Sequence, residues 1–283
     1  MSIHHMNIIG KLFIIVFPFF FAEFTSHAQS ATQQTAPPLT IYWENNNLTI
    51  SGGNIPGNTL QINYLEDFCK SGSTNRKWNE TTIPHKTELV YADENRKHIK
   101  LRTFVEGDIE VDHDIRAGED DITFNLVLEN KSDRFADVVW FQPCVRVDRF
   151  TNKTQDDYID RCFIFTGSGL KTLNNTVRSD KGLYKGGQTY VPPGIDLNDV
   201  NPRPISPEKP INGLIGCFSD DNKWLMATAW DHVQELFQGV FVCIHSDPRI
   251  GGLGPGELKK LKGKIYFLPN DTEGLLKRYR RDF

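Results

Sequence analysis

Asp108-Ile-Glu-Val-Asp-His-Asp-Ile115 alternates without a break. Ile109, Val111, His113 and Ile115 fall on one side of an extended chain; Glu110, Asp112 and Asp114 fall on the other. After the turn Ala117-Gly-Glu-Asp120 the pattern returns in Asp121-Ile-Thr-Phe-Asn-Leu-Val-Leu-Glu129, with Ile122, Phe124, Leu126 and Leu128 inward. His98-Ile-Lys-Leu-Arg-Thr-Phe-Val105 precedes both. Three period-two segments with turns between them and no helical period predict antiparallel strands and argue against βαβ units.

Outward from this centre the same reading holds. Leu39–Trp43 and Asn47–Ser51 alternate around Glu-Asn-Asn, a hairpin signal, and Leu60–Tyr64 alternates again. Lys70–His85 reads as a long loop. Ala136–Arg146 runs out as a strand, Val147–Asp160 reads as a loop or short helix, and Arg161–Thr166 is strand. Asn212–Phe218 and Lys223–Trp230 form a hairpin about Asp221-Asn. Leu236–Ile244 reads as one buried strand that exits at His245, Asp247 and Arg249. Gly263–Leu268 is the last strand. Asp271 or Thr272 caps a closing helix over Glu273–Arg281. The fold class expected is all-β: an antiparallel β-sandwich with a short C-terminal helix. Gly182–Pro210, rich in Gly and Pro, is expected to be a structureless loop over a site, its Tyr184 and Tyr190 favouring that role.

The N-terminus reads as an address. After a weakly basic start, Leu12–Ala22 is unbroken apolar sequence and Ser26-His-Ala28 supplies small residues. The run is shorter than the ~20 residues of a spanning helix, so residues 1–28 are expected to be a cleaved signal peptide. Residues 29–38 are then a disordered lead-in and residues 39–283 a single β-sandwich domain. The product is expected to be secreted or periplasmic, with no stable membrane anchor. The formal charge of −4 is near balance and the one basic block is Lys277–Arg281, so nucleic acid is excluded as a partner. The five cysteines have irregular spacing and no CxxC, which argues against a zinc ribbon or a disulfide framework. One disulfide, Cys144 with Cys162, stays open in an oxidising compartment.

Asp108–Cys144, with Asp-Ile-Thr-Phe-Asn-Leu-Val-Leu-Glu-Asn-Lys-Ser followed by Trp-Phe-Gln-Pro-Cys, resembles the strands of β-supersandwich domains of the galactose-mutarotase-like type. The closing Gly254-Pro-Gly-Glu-Leu-Lys and Lys262–Asp271 are similar to that family's penultimate turn and strand. The resemblance covers the central and C-terminal parts and implies a carbohydrate-active protein. Size, export signal and single-domain sandwich also resemble the secreted oligosaccharide dehydratases of ulvan breakdown. That second resemblance implies a carbon–oxygen lyase that removes water from a non-reducing-end uronic acid to leave a 4,5-unsaturated sugar. It transfers no site residue.

The candidates therefore come from chemistry. His245, at a strand exit, suits proton transfer near neutral pH. His113, on an apolar strand face, and Tyr184, on the Gly-rich loop, are the other catalytic candidates. Arg146 and Arg161 suit a bidentate grip on a sugar carboxylate. Gln142 and Glu235 offer hydrogen bonds to hydroxyls, and Trp230 offers a stacking platform. Asp247, before Pro248, reads as turn chemistry. No cofactor is expected, although a metal held by His245 and Asp247 stays open. The partner expected is an anionic oligosaccharide. Two alternatives stand: a non-catalytic carbohydrate-binding sandwich, and a mutarotase-like epimerase using His113, His245 and Glu235.

Overall fold

The computed structural model describes Met1 and residues 37–179 and 187–283. The expected signal segment beyond Met1, most of the lead-in and Tyr184 lie outside the described residues. Residues 36–283 form one compact unit. Its strands are β1 (Thr40–Glu44), β2 (Asn47–Ser51), β3 (Thr59–Cys69), β4 (Thr82–Ile83), β5 (His85–Ala92), β6 (His98–Val105), β7 (Ile109–Ala117), β8 (Asp121–Asn130) and β9 (Trp140–Arg146). They continue as β10 (Cys162–Thr166), β11 (Gly169–Thr172), β12 (Gln188–Tyr190), β13 (Pro210–Phe218), β14 (Trp224–Trp230), β15 (Val233–Gln238), β16 (Cys243–Pro248) and β17 (Leu258–Pro269). Short helices α1 (Trp78–Thr81) and α2 (Asp148–Thr151) interrupt them, and α3 (Thr272–Asp282) closes the chain.

Two antiparallel sheets face each other. The first runs β1-β2-β3-β9-β16-β15-β12, with β4 beside β3; the second runs β11-β10-β13-β14-β17-β8-β7-β6-β5. Alternation fills the space between them. Ile62, Phe141, Leu236 and Ile244 of the first sheet meet Val111, Ile122, Leu126, Met226 and Ile265 of the second in one core. β7 and β8 pair in register from Ile109↔Asn130 to Ala117↔Ile122, which sets their inner residues side by side. Gly263 leaves room for the Trp230 ring, since a Cβ there would run into the indole. Trp230 then packs against Phe124 and Phe141.

The outer face of the second sheet is covered by α3. Asp271 accepts a hydrogen bond from the Gly274 amide at 2.9 Å and so caps the helix. Leu275 is buried among Phe163, Tyr266 and Leu268. The outer face of the first sheet is left for the cavity described below.

The structure departs from the sequence reading in four places. Lys70–His85 is not a plain loop: α1 and β4 lie in it, tied by the Lys70 amide to the Thr81 carbonyl. The described part of Gly182–Pro210 is not structureless, because β12 pairs with β15 and extends the first sheet. Leu236–Ile244 is not one strand. It is the β15–β16 hairpin, reversing at Gly239–Val242 with the Gly239 amide on the Cys243 carbonyl. Cys144 faces outward from the first sheet and Cys162 faces the inter-sheet core from the second, and they form no disulfide. All five thiols are free and buried, with Cys162 directly opposite Cys217.

Candidate functional site

On β9 the core takes Phe141 and Val145, so Gln142, Cys144 and Arg146 point the other way. On β16 the core takes Ile244, which turns Cys243, His245 and Asp247 outward. On β15 Leu236 is inward, and Glu235 and Phe237 are outward. β3 shifts register between Asn63 and Asp67, and Glu66 emerges there on the outer face. A cavity of about 210 Å³ results, with Glu66, Gln142, Cys144, Cys243 and His245 in its lining. Trp78, Phe237 and Phe241 supply aromatic wall, and Asn201 and Arg203 come from the segment after β12.

That segment is pinned. The Thr74 hydroxyl donates to the Leu197 and Val200 carbonyls, and the Gly72 amide donates to Asp199. The Asn201 amide donates to Glu235 Oε2 at 2.9 Å. Among the described residues of this region Asn201 and Arg203 reach the cavity, while Tyr190 is buried with its hydroxyl 2.8 Å from that of Thr176. Burial pushes the Tyr190 phenol up to about 12.

His245 is the centre of the polar cluster. Its Nε2 lies 3.5 Å from Cys243 Sγ, and its Nδ1 lies 3.4 Å from Asp247 Oδ1. Gln142 donates to the other oxygen of Asp247 at 3.2 Å. Burial opposes charge on the imidazole, but Asp247 and Cys243 outweigh it and hold His245 well above the usual histidine range. A thiol hydrogen bond from Cys144 pulls Cys243 well below the usual thiol range against its burial, and His245 adds to that pull. Both shifts run in the direction that favours a Cys243 thiolate beside a His245 imidazolium. Glu235 stands opposite Asp247 in register. Burial raises Glu235 well above the usual carboxyl range and the Asp247 charge adds to it, both favouring its neutral form. Burial also raises Glu66, although the nearby His245 pulls it back. Asp67 is raised to about 6 by burial and by Glu66, while the Trp78 indole hydrogen-bonds its carboxylate.

Of the residues proposed from sequence, His245 and Gln142 line the cavity, and Glu235 lies beside Asp247 on the neighbouring strand, outside the lining. Arg146 is half-buried beside it, its guanidinium 5.5 Å from the Phe241 ring centre. The others lie elsewhere. Trp230 is enclosed between the sheets and has no face left for a sugar. His113 faces the inter-sheet core, with Tyr64 Oη at 2.9 Å from Nδ1 and Thr103 Oγ1 at 2.9 Å from Nε2. It does not meet His245. Arg161 bonds Asn222 and the Asp220 carbonyl on the surface. Asp247 is wholly buried against His245 rather than serving a turn. Glu66, Asp67, Cys144, Cys243 and Trp78 escaped the sequence reading. The period-two signal of Cys243, His245 and Asp247 was the one clue to part of this set.

The architecture is an antiparallel two-sheet β-sandwich. The domain superposes on an alpha-N-acetylgalactosaminidase from Bifidobacterium bifidum with TM-score 0.50 and 11% identity, over 86% of this chain and 37% of that one. It also superposes on a putative aldose 1-epimerase from Escherichia coli K12 (TM-score 0.41, 10% identity, 82% of this chain and 99% of that one). A polysaccharide lyase matches with TM-score 0.41 and 10% identity, over 85% and 34%. This chain thus spans little more than a third of the galactosaminidase and of the lyase. At such identities the likeness is one of fold. No protein-family model matches the chain, and no curated protein does.

Proposed function

We propose that this protein is a carbohydrate-active carbon–oxygen lyase that eliminates water from the terminal uronic acid of an anionic oligosaccharide. The observation that carries the reading is that Glu66 and the His245 centre line one small cavity, near enough for His245 to act on the Glu66 charge. Its volume is below the ~300–1,000 Å³ of drug-sized sites, which suits one sugar unit entering end-on. Trp78 and Phe241 offer apolar faces to a sugar ring. Arg203 and Arg146, near the mouth, offer cations to a carboxylate.

The steps balance without a redox partner. Glu66 takes the C5 proton, and the electron pair left behind forms the C4–C5 double bond. The C4–O bond breaks, and the departing hydroxyl takes a proton from the charged His245 centre to leave as water. A carboxylate raised by burial is a stronger base than an ordinary one, which fits Glu66 to its part. Export, if the N-terminal segment acts as read, would bring the protein to such a substrate.

Purified protein mixed with uronate-ended oligosaccharides should develop the ultraviolet absorbance of a 4,5-unsaturated uronate. Glu66→Gln should lower the rate by about 10²–10⁴-fold, the range of a lost general base. A silent trace across a broad panel of anionic oligosaccharides would sink the reading.

A further inference from the structure

We infer that Cys144, Cys243 and His245 form a binding site for a soft divalent cation of the zinc kind, with one coordination position open to the cavity. The donor atoms of these three residues all lie within 4.8 Å of one another. All three side chains are buried, yet all three line the cavity. Cys243 and His245 share a face of β16. β9 runs beside them with Cys243↔Arg146 and Ile244↔Val145, so Cys144 comes next along, abreast of His245.

The spacing fits a tetrahedral ion. Zinc–sulfur and zinc–nitrogen bonds of about 2.3 and 2.0 Å at the tetrahedral angle place sulfur and nitrogen about 3.5 Å apart. The Cys243 Sγ to His245 Nε2 distance is 3.5 Å. The supporting groups fit too. A ligating histidine commonly turns its other ring nitrogen to a carboxylate, which is in turn hydrogen-bonded. Here His245 Nδ1 faces Asp247 Oδ1, and neither atom has a hydrogen bond of full geometry among the described residues. Asp247 is held by Gln142. Two thiolates and an imidazole select zinc-like ions over magnesium or calcium, which prefer oxygen donors. Three protein donors and an open side are the pattern of catalytic rather than structural zinc.

A cation here takes the place of the Cys144 proton and of the His245 proton on the nitrogen that faces it, and in that state a Lewis acid on the departing sugar oxygen stands in for the His245 proton of the lyase reading. The ligands place the site. Only this consequence rests on the lyase reading above.

The test is cobalt titration of the whole protein, purified under reducing conditions and stripped by chelator. One equivalent of Co²⁺ should produce sulfur-to-cobalt charge-transfer bands and the visible bands of a tetrahedral ion, and Zn²⁺ should displace it. Cys144→Ser and Cys243→Ser should each weaken the charge-transfer bands. Asp247→Asn should cut affinity about 10–100-fold while leaving the bands in place. Cys162→Ser, on the other sheet, should bind as the parent does, which controls for stray thiol binding. Folding of each variant is read independently by near-ultraviolet circular dichroism. Absent bands in reduced, folded parent protein would overturn the site, as would uptake indifferent to both cysteine changes or a Cys144–Cys243 disulfide in the exported protein. These readouts need no substrate. A failed metal site and a failed lyase reading are therefore told apart, one by missing cobalt bands and the other by missing unsaturated uronate.

Discussion

His113 and His245 are both buried strand histidines, and their surroundings send them opposite ways. Nothing near His113 outweighs its desolvation, and its imidazole is driven down to about 3; the Asp112 charge opposes the shift weakly and His85 adds to it slightly. It stays neutral between Tyr64 and Thr103. His245 meets Asp247 and Cys243, whose pull outweighs burial and favours its charged form. The His113 shift has a cost that pH reveals. In the unfolded chain the imidazole takes a proton below about 6.5, whereas in the fold it does so only near 3. The unfolded state binds the extra proton in that window, so this group erodes stability as pH falls, by about 1.4 kcal/mol per unit, and not at all above the window. His113→Leu should lose about 1–3 kcal/mol near neutral pH, because the Tyr64 hydroxyl is left unpaired in the core. Its deficit should shrink as pH drops two units, since the variant has no proton to gain. Urea midpoints of the two proteins at both pH values check this, and a deficit that widens in acid would refute it.

At the scale of an element, the β15–β16 hairpin decides where the chemistry sits. Its apolar run was legible as strand, and the alternation of His245 and Asp247 gave their common face, to which the structure adds Cys243. The reversal was not legible, because Gly239–Val242 carries no Asn-Gly or Asp-Gly pair and Phe241 at the tip is apolar. The reason for Gly239 is steric. A Cβ there would collide with Cys243 Sγ, and the Gly239 carbonyl also accepts from the Tyr158 hydroxyl at 2.8 Å. Gly239→Ala should therefore displace Cys243, lowering both turnover and cobalt affinity at least tenfold while the sandwich stays folded. Parallel binding and thermal-melt measurements test it; unaltered affinity would show that the thiol has room to move. The helix cap is a simpler case. Asp271 was one of two residues expected to cap α3, and it accepts from Gly274. Asp271→Ala should cost about 1 kcal/mol in a urea melt.

For the whole molecule, local periodicity fixes which residues face inward but not which strands become neighbours. The sandwich and its inner faces at β7 and β8 could be read for the first reason. The cavity could not, for the second: Glu66, Gln142, Cys144 and His245 meet only because β3, β9 and β16 lie side by side, a long-range register without a local signal. The same limit hid the covering of the second sheet. Its outer face presents Phe163, Tyr266 and Leu268, which α3 covers with Leu275. Arg278 on the helix bonds Asp120 at 2.6 Å and Asp121 at 2.7 Å. Burying one leucine stabilises by about 1.5–3 kcal/mol, and the helix brings Leu276 and Tyr279 as well. A chain ending at Asn270 would expose a contiguous apolar sheet face, the kind of patch that drives association. It should melt several degrees lower and self-associate in light scattering, while the cavity, on the other sheet, keeps its cobalt bands as long as the protein stays folded. A truncated chain that remains monomeric with an unchanged melting temperature would show that α3 is an appendage rather than part of the core.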